Sequence, residues 1–201
     1  MAPKRSAVKG KVSGAAVDGA DAPEWKSSKC TDSHLLSMVE SHLLQPQNVI
    51  HWRRSGGESF PHEGGNESVI FLPRVLRGLS FSVSDFFRGL LHHWGVQVHH
   101  LTPNSILHFS IFVHLCEAFL GVEPHFDLFQ YFFHLKPQPS ESKIDVVGGA
   151  GLQFRQGKKP QYISYELSDK VIDWKSMWFY IRNLSSSLPV RILGPPVKKS
   201  S

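Results

Sequence analysis

The spacing of apolar positions along the chain predicts four helices, and the first of them covers residues 32–46. Leu35, Val39 and Leu43 recur there every four residues, which places them on one face of a helix. Pro46 ends the pattern, because proline cannot continue a helix from its interior. The segment is therefore predicted to be an amphipathic helix with this apolar face turned to the core.

The second predicted helix, residues 83–95, carries a stripe of six apolar residues at i, i+3, i+4, i+7, i+8 and i+11. Ser82 and Asp85 resemble a capping box at its start, and Gly95 suits the position after its end. His92 falls on the opposite, polar face. The stripe residues, which we expect to be buried, are Val83, Phe86, Phe87, Leu90, Leu91 and Trp94.

The third predicted helix begins with Thr102 as its N-cap and Pro103 in its first turn, and it ends at Gly121. Apolar residues nearly encircle it. The one continuous polar row is Ser110, His114 and Glu117, which we interpret as side chains that hydrogen-bond along the surface of their own helix.

A fourth helix is predicted over residues 124–134, opened by Pro124 and rich in aromatic residues. Four short segments have strand character: residues 69–72, 151–155, 161–165 and 178–181. The second and third of these are separated by QGKKP and are predicted to form a hairpin, and Gly148, Gly149 and Gly151 are expected to make a bend into it. Together the elements predict an α+β domain with a His/Phe-rich helical core and a small, mainly antiparallel sheet.

Composition and charge divide the chain into one domain and two tails. With 41% apolar and 19% charged residues, 201 residues suit a single globular domain, predicted over 30–190. Residues 1–29 and 191–201 lack apolar periodicity and are predicted to be disordered basic tails. With two cysteines and neither a signal peptide nor a membrane span expected, we predict an intracellular protein of the nucleus or cytoplasm without membrane contact.

The net charge of +5 comes from the tails, because residues 30–190 hold 13 basic against 14 acidic residues. A basic tail favours weak, nonspecific nucleic-acid binding. The candidate nucleic-acid residues are therefore Lys4, Arg5, Lys9 and Lys11 in the first tail, with a weaker candidate surface at Arg155, Lys158 and Lys159 beside Tyr162 on the predicted hairpin.

Six of the twelve histidines lie in residues 90–121, beside Cys116. Their spacing lacks the close ligand pairs of a structural zinc site, so we interpret them as structural histidines, with His108 on an apolar helix face. Cys116, with Leu115, Ala118 and Phe119 around it, is interpreted as a buried, unreactive thiol. No catalytic, cofactor-binding or metal-ligating residue is assigned, and no cofactor is expected.

Burial of neutral histidines predicts acid sensitivity, because a buried imidazole must become charged when the chain unfolds in acid. We expect cooperative folding to be lost between about pH 7.5 and about pH 5, where an unperturbed histidine with pKa about 6.5 titrates. His108 is predicted to be the leading contributor.

Several motifs resemble the gypsy-type transposon domain of plants, a transposase-like domain of plant retroelements. HHLTPNSILH stands at residues 99–108, LCEAFLG at 115–121 and EPHF at 123–126, followed by LKPQ, by VGGAG at 147–151 and by WFYI at 178–181. The similarity extends over about residues 30–184.

The resemblance implies origin from a retroelement and assigns no catalytic residues. The present chain is then interpreted as a non-enzymatic domain, most simply a gag-like interaction or assembly module, and as either a truncated element copy or a fragmentary gene product. Its expected partners are itself or other element-encoded proteins. The alternative is a DNA-associated transposition protein that acts with another, catalytic chain, since Asp85, Glu117 and Asp127 do not read as the three converging carboxylates of a two-metal enzyme.

Overall fold

The computed structural model of the protein describes residues 25–62, 67–81, 83–138, 144, 146–165 and 171–182. This part of the chain forms six α-helices and five β-strands. The helices are α1 (Asp32–Glu40), α2 (Gln47–Ile50), α3 (Leu72–Val75), α4 (Asp85–Trp94), α5 (Pro103–His114) and α6 (Phe126–Phe132). The strands are β1 (Trp52–Arg54), β2 (Glu67–Phe71), β3 (Phe133–Pro137), β4 (Ala150–Phe154) and β5 (Trp178–Arg182). The predicted α+β class is confirmed.

A three-stranded antiparallel sheet has the order β1-β5-β2. Its central strand is the predicted WFYI segment, and Trp178 through Ile181 are all buried. A strand covered on both faces needs such an uninterrupted apolar run. The register pairs Trp52 with Ile181 and Ile70 with Phe179. β1 was not predicted, because its sequence WRR is too short and too polar to show a strand period.

A second, two-stranded antiparallel sheet pairs β3 with β4, with Phe133 opposite Phe154 and Leu135 opposite Leu152. The predicted hairpin between 151–155 and 161–165 is therefore wrong. Lys159–Gln161 forms a 3-10 turn instead of a hairpin loop. The fourth helix also ends earlier than predicted, at Phe132, because Phe133 and Leu135 alternate toward the core as a strand requires.

The caps of α4 and α5 fix where these two helices begin and end. The Oγ of Ser84 accepts a hydrogen bond from the N–H of Phe87 at 3.2 Å, so Ser84 is the N-cap of α4; Ser82, the predicted cap, lies outside the described residues. Thr102 caps α5 as predicted, and its Oγ accepts from the N–H of Ser105 at 3.2 Å. A π-helical segment, Leu115–Leu120, continues α5 up to Gly121, the predicted end.

The apolar faces of the helices agree with the predicted stripe in α4 and differ in α1. Every stripe residue of α4 is buried or partly buried. In α1 the buried residues are Leu35 and Met38, whereas Leu43 is 44% exposed. The helix stops at Glu40, so the predicted period does not extend to Leu43, and the following turn buries Leu44 instead.

An aromatic cluster lies between α4, α5, α6 and the β3–β4 sheet. The ring of Phe129 is 4.9 Å from that of Phe112 and 4.9 Å from that of Phe133, and all three side chains are fully buried. Such pairs add about 0.5–1.5 kcal/mol each beyond the area they bury. His108 borders this cluster at 5.4 Å from the ring of Phe133, so the predicted His/Phe-rich core is confirmed.

The three-stranded sheet is covered near its end by residues 25–29. Trp25 stacks on Phe71 with ring centroids 5.6 Å apart, and the indole N–H of Trp178 donates to the carbonyl of Lys26 at 2.7 Å. These five residues, which were assigned to the first tail, therefore pack against the domain. Residues 1–24 and 183–201 lie outside the described residues. Within the described part, no helix is both long enough and apolar enough to cross a membrane.

Candidate functional site

A groove runs along α5 where this helix faces α4 and the segment that precedes α4. Its opposite wall is formed by residues 78–80, 83–84 and 87, and the cavity between has a volume of about 340 Å³. Ligand pockets commonly range over about 300–1,000 Å³, so this one suits one or two side chains. The residues of α5 and of the π segment that line it are Ile106, Phe109, Ser110, Val113, His114 and Glu117. We refer to this cavity as the α5 groove.

The α5 residues of the groove occur at i, i+3, i+4, i+7, i+8 and i+11, which is one continuous face of a helix. At about 1.5 Å per residue the groove follows the helix for about 16 Å. Its floor is apolar, with Val83, Phe87 and Ile106 buried. His114 and Glu117 are exposed at the C-terminal end. The groove therefore has an apolar floor and a polar mouth.

The predicted polar row of α5 lines this groove, but it does not act as expected. Ser110 donates from Oγ to the carbonyl of Arg77 at 3.2 Å and so joins α5 to the turn after α3. Gly78 makes this approach possible, since a Cβ there would lie 2.5 Å from the Oγ of Ser110. Within this row, Ser110 binds another element of the fold, whereas His114 and Glu117 face the solvent.

Three apolar side chains are exposed where the π segment ends. Phe119 is 74% exposed, Leu120 55% and Val122 48%. They flank Gly121, whose φ of +65° turns the chain out of the helix. The ring of Phe119 lies 5.5 Å from that of His114, so this surface borders the α5 groove. We call Phe119, Leu120 and Val122 the apolar tip.

The apolar tip was missed in the sequence, where Phe119 was expected to lie in the core around Cys116. The π turn has i→i+5 hydrogen bonds, so it shifts the residues after it away from the face predicted by an α-helical period. Cys116 remains fully buried while Phe119 is exposed. A π turn has no clear signal in a single sequence, although π turns often occur at functional sites.

The candidate nucleic-acid residues Arg155, Lys158 and Lys159 lie together after β4. Arg155 and Lys159 are exposed, and the ammonium of Lys158 lies 3.6 Å above the ring of Tyr131. Tyr162 was predicted to lie on this surface, but it is only 9% exposed, and its ring lies 4.9 Å from that of Phe132. Lys158 covers one face of Tyr131, so the cluster offers cations without an open stacking platform there. Lys4, Arg5, Lys9 and Lys11 lie outside the described residues.

Arg74 is fully buried, and its guanidinium is held by backbone carbonyls. It donates to the carbonyl of Leu101 from Nε at 3.0 Å and from Nη2 at 2.6 Å, and to that of His99 from Nη2 at 2.7 Å. The guanidinium carbon lies 4.4 Å from the ring centroid of Phe71 and 4.8 Å from that of Trp174. Burial lowers the pKa of Arg74 to about 9, so it stays charged at neutral pH. The backbone of residues 99–101, HHL, is therefore held in place by Arg74.

The histidines divide into an interior and an exterior set. His108 is buried, and its Nδ1 is hydrogen-bonded to the phenol of Tyr165. Burial, assisted by Lys159, lowers the pKa of His108 to about 4. Burial, with His100 and Arg74 nearby, lowers the pKa of His99 to about 3. Both are therefore neutral at pH 7. The exterior set includes His92, His93, His114 and His125, which are exposed.

The remaining candidate groups are two thiols and two carboxylates. Cys30 and Cys116 are free and buried, and burial raises the pKa of both thiols, that of Cys30 to about 12. Asp85 pairs with Arg88 in the first turn of α4 and does not cap that helix, and Asp127 is exposed in the first turn of α6. Among the described residues, no group of three or more His, Cys, Asp or Glu side chains could hold a metal ion.

Comparison with protein families gave one match that covers this region. Residues 69–137 match the family model described as "Putative gypsy type transposon". These residues, about a third of the chain, are similar to that family. The resemblance to gypsy-type transposon domains is thus confirmed for residues 69–137, and the match supports a retroelement-derived domain. Comparison with curated proteins and with solved structures found no match.

The family segment contains the α5 groove, the apolar tip and Arg74. Its HHLTPNS stretch is tied to β4 as well as to Arg74: the Oγ of Ser105 donates to the carbonyl of Ala150 at 3.2 Å and accepts from the N–H of Leu152 at 2.9 Å. The N–H of Gly148 donates to the carbonyl of His99 at 3.1 Å. The HHLTPNS and VGGAG motifs are therefore packing junctions, whereas the LCEAFLG motif carries two residues of the exposed apolar tip.

Proposed function

We propose that the chain is a non-enzymatic protein-interaction module of a gypsy-type retroelement, gag-like in that its role is assembly with itself or with other element-encoded proteins. Two free, buried cysteines support a site of action inside the cell, in the nucleus or cytoplasm.

The apolar tip carries this proposal. An exposed phenylalanine exposes a large apolar surface to water, and contiguous apolar surface on a folded domain marks an interaction site more often than isolated residues do. Phe119, Leu120 and Val122 lie within four residues of one another where the π segment ends. They also border the α5 groove, whose floor is apolar, so the apolar tip and the groove form one continuous surface.

A second candidate is a DNA-associated transposition protein that acts with a separate catalytic chain. The exposed cations Arg155 and Lys159, with Lys158 beside them, favour it, because such groups contact phosphates. The aromatic neighbours of these cations support it less, since Tyr162 packs inside and Lys158 covers a face of Tyr131.

A photo-crosslinking amino acid at position 119 of the full chain tests the proposal in cells. The matched control carries the same group at position 172, because Ile172 is also an apolar residue and is 90% exposed, but lies in a separate turn. We expect position 119 to give a discrete adduct with one polypeptide that mass spectrometry identifies. The adduct should resist nuclease, and Leu120→Asp should abolish it.

Two outcomes would overturn the proposal. Adducts at position 119 that contain nucleic acid or disappear with nuclease would favour the DNA-associated alternative. The same set of adducts from positions 119 and 172 would show that the apolar tip has no specific partner.

A further inference from the structure

We propose that the partner of the apolar tip is a second copy of this chain, with Phe119 of each copy seated in the α5 groove of the other. This inference rests on the proposed function and specifies its partner and geometry. The size of the groove, the position of the tip beside it and the hydrogen-bonding groups at its mouth support this partner.

The size and lining of the α5 groove suit an aromatic side chain. The cavity of about 340 Å³ is floored by the buried residues Val83, Phe87 and Ile106, with Phe109 along its wall. A phenyl ring placed there exchanges water contact for contact with apolar and aromatic groups. Phe119 cannot already occupy the groove of its own chain, because it is 74% exposed.

The position of the tip favours a twofold dimer. In such a dimer the same surface is used by both copies, so the projecting group and its cavity must lie on one face of the molecule. Phe119 contacts His114, and His114 lines the groove. Projection and cavity are thus neighbours, and one rotation seats both rings at once.

The hydrogen-bonding groups at the mouth are complementary to a second copy. His114 and Glu117 lie three residues apart at the same end of the groove and are exposed. A twofold axis near them brings the imidazole N–H of each copy to the carboxylate of the other, which gives two equal hydrogen bonds. Among the described residues that line the groove, Glu117 is the single acidic residue and none is lysine or arginine. A strongly basic or acidic peptide is therefore matched less well.

The small size of this surface predicts weak association. Interfaces below the standard size are typical of transient contacts, and we expect a Kd of about 10–500 µM. Sedimentation equilibrium of the full chain from low micromolar to millimolar concentration measures it. Phe119→Asp should weaken association by about thirtyfold or more, as expected for a central aromatic anchor, whereas Ile172→Asp should leave it unchanged. Both residues are exposed, so thermal melts should show folded proteins.

Disulfide trapping tests the geometry. Leu120→Cys and Ser80→Cys are introduced into separately tagged copies that keep Phe119, because Leu120 is exposed beside Phe119 and Ser80 is exposed and lines the groove. The native cysteines are buried and do not compete. We expect the mixed disulfide to form at least about tenfold faster than with the Ile172→Cys control in place of Leu120→Cys.

The results separate this inference from the proposed function. A chain that stays monomeric to millimolar concentration, an unaltered Kd for Phe119→Asp, or trapping no faster than the control would each overturn the second-copy inference. If position 119 still captures one different polypeptide in cells, the interaction module stands with another partner. If it captures none, both proposals fail.

Discussion

Arg74 and Leu101, 27 residues apart, are joined by two hydrogen bonds from the guanidinium of one to a single carbonyl of the other, at 3.0 and 2.6 Å. A fully buried cation normally has a carboxylate partner, because desolvating a charge costs several kcal/mol. Here the described partners are backbone carbonyls of Leu101 and His99 and the rings of Phe71 and Trp174. Arg74 thereby joins α3 to the 3-10 turn before α5, Val98–His100, and to the residue after it, and packs against Phe71 at the end of β2 and against Trp174.

Replacing Arg74 with lysine should destabilise the protein by about 3 kcal/mol. Lysine keeps the charge but cannot reproduce the planar fork, so one or more charged hydrogen bonds of about 1.5–3 kcal/mol are lost and a buried carbonyl is left unsatisfied. Arg54→Lys is the matched control, because Arg54 is exposed and paired with Asp32 at the surface. It should cost less than about 1 kcal/mol. Urea melts measure both, and equal midpoints for the two variants would contradict the structural role of Arg74.

Gly148 and Gly157 share a φ of +72° but have different surroundings. A Cβ on Gly148 would lie 2.4 Å from Cζ2 of Trp174, whereas one on Gly157 meets nothing within 4 Å. Alanine at either position costs about 1–2 kcal/mol for the left-handed backbone. Gly148→Ala should cost a further 1–3 kcal/mol, roughly, because the indole must move. Urea melts of the two variants isolate the contact, and costs that agree within about 0.5 kcal/mol would show that Trp174 moves freely.

The elements that the sequence predicted well are those with a long period and clear caps. The start and end of α5 with its π segment were predicted correctly from Thr102, Pro103 and Gly121. The continuous apolar run of β5 correctly indicated a strand that is buried on both faces. The predicted bend is confirmed at Gly148, which precedes β4 with a positive φ. In these places local propensity and tertiary packing favour the same conformation.

The wrong predictions have a common physical cause: they concern features that depend on which strands pair or on a change of helical period. β4 pairs with Phe133–Pro137 and not with residues 161–165. The two short segments have similar strand propensity in the sequence, so only their packing in the fold distinguishes them. The candidate site was predictable only as the polar row of α5. Its cavity needs residues 78–84 folded against the helix, and the exposure of Phe119 needs the π turn.

The nucleic-acid affinity of the chain should come from residues 1–24 and 191–201. They carry seven basic against three acidic residues, while residues 25–190 hold 15 against 14. Because each neutralised phosphate contributes about 0.9 to the slope of log affinity against log salt, removing both segments should lower that slope by several units. Fluorescence anisotropy with a duplex at several salt concentrations measures this.

If the protein without residues 1–24 and 191–201 binds DNA with undiminished affinity, the affinity does not come from these segments but from the basic cluster after β4. In that case the triple change of Arg155, Lys158 and Lys159 to glutamine in the trimmed chain should remove the binding. If the tails carry the affinity, the same triple change in the full chain should lower the slope by less than deletion of the tails.

The interior histidines predict loss of stability in acid. His99 and His108 have folded pKa values of about 3 and about 4, below the unfolded value of about 6.5. Above pH 6.5 both folded and unfolded chains hold them neutral, so the free energy of unfolding does not depend on them. Below pH 6.5 the unfolded chain takes up protons that the folded chain rejects, and stability falls until the folded pKa values are reached. By pH 5 each histidine should cost about 2 kcal/mol.

His108 and His99 should contribute about equally at pH 5, because both folded pKa values lie well below that pH, and His134, whose pKa is also lowered by burial, adds to the loss. His108→Gln should remove roughly 2 kcal/mol of the loss, and should lower stability at pH 7.5 because the contact with Tyr165 is altered. His92→Gln is the matched control, since His92 is exposed and should leave the pH dependence unchanged. Urea melts at half-unit steps from pH 7.5 to 5 measure the difference. A wild-type midpoint that stays level over this range, or an identical slope in the His108 variant, would mean that these imidazoles gain their protons without unfolding.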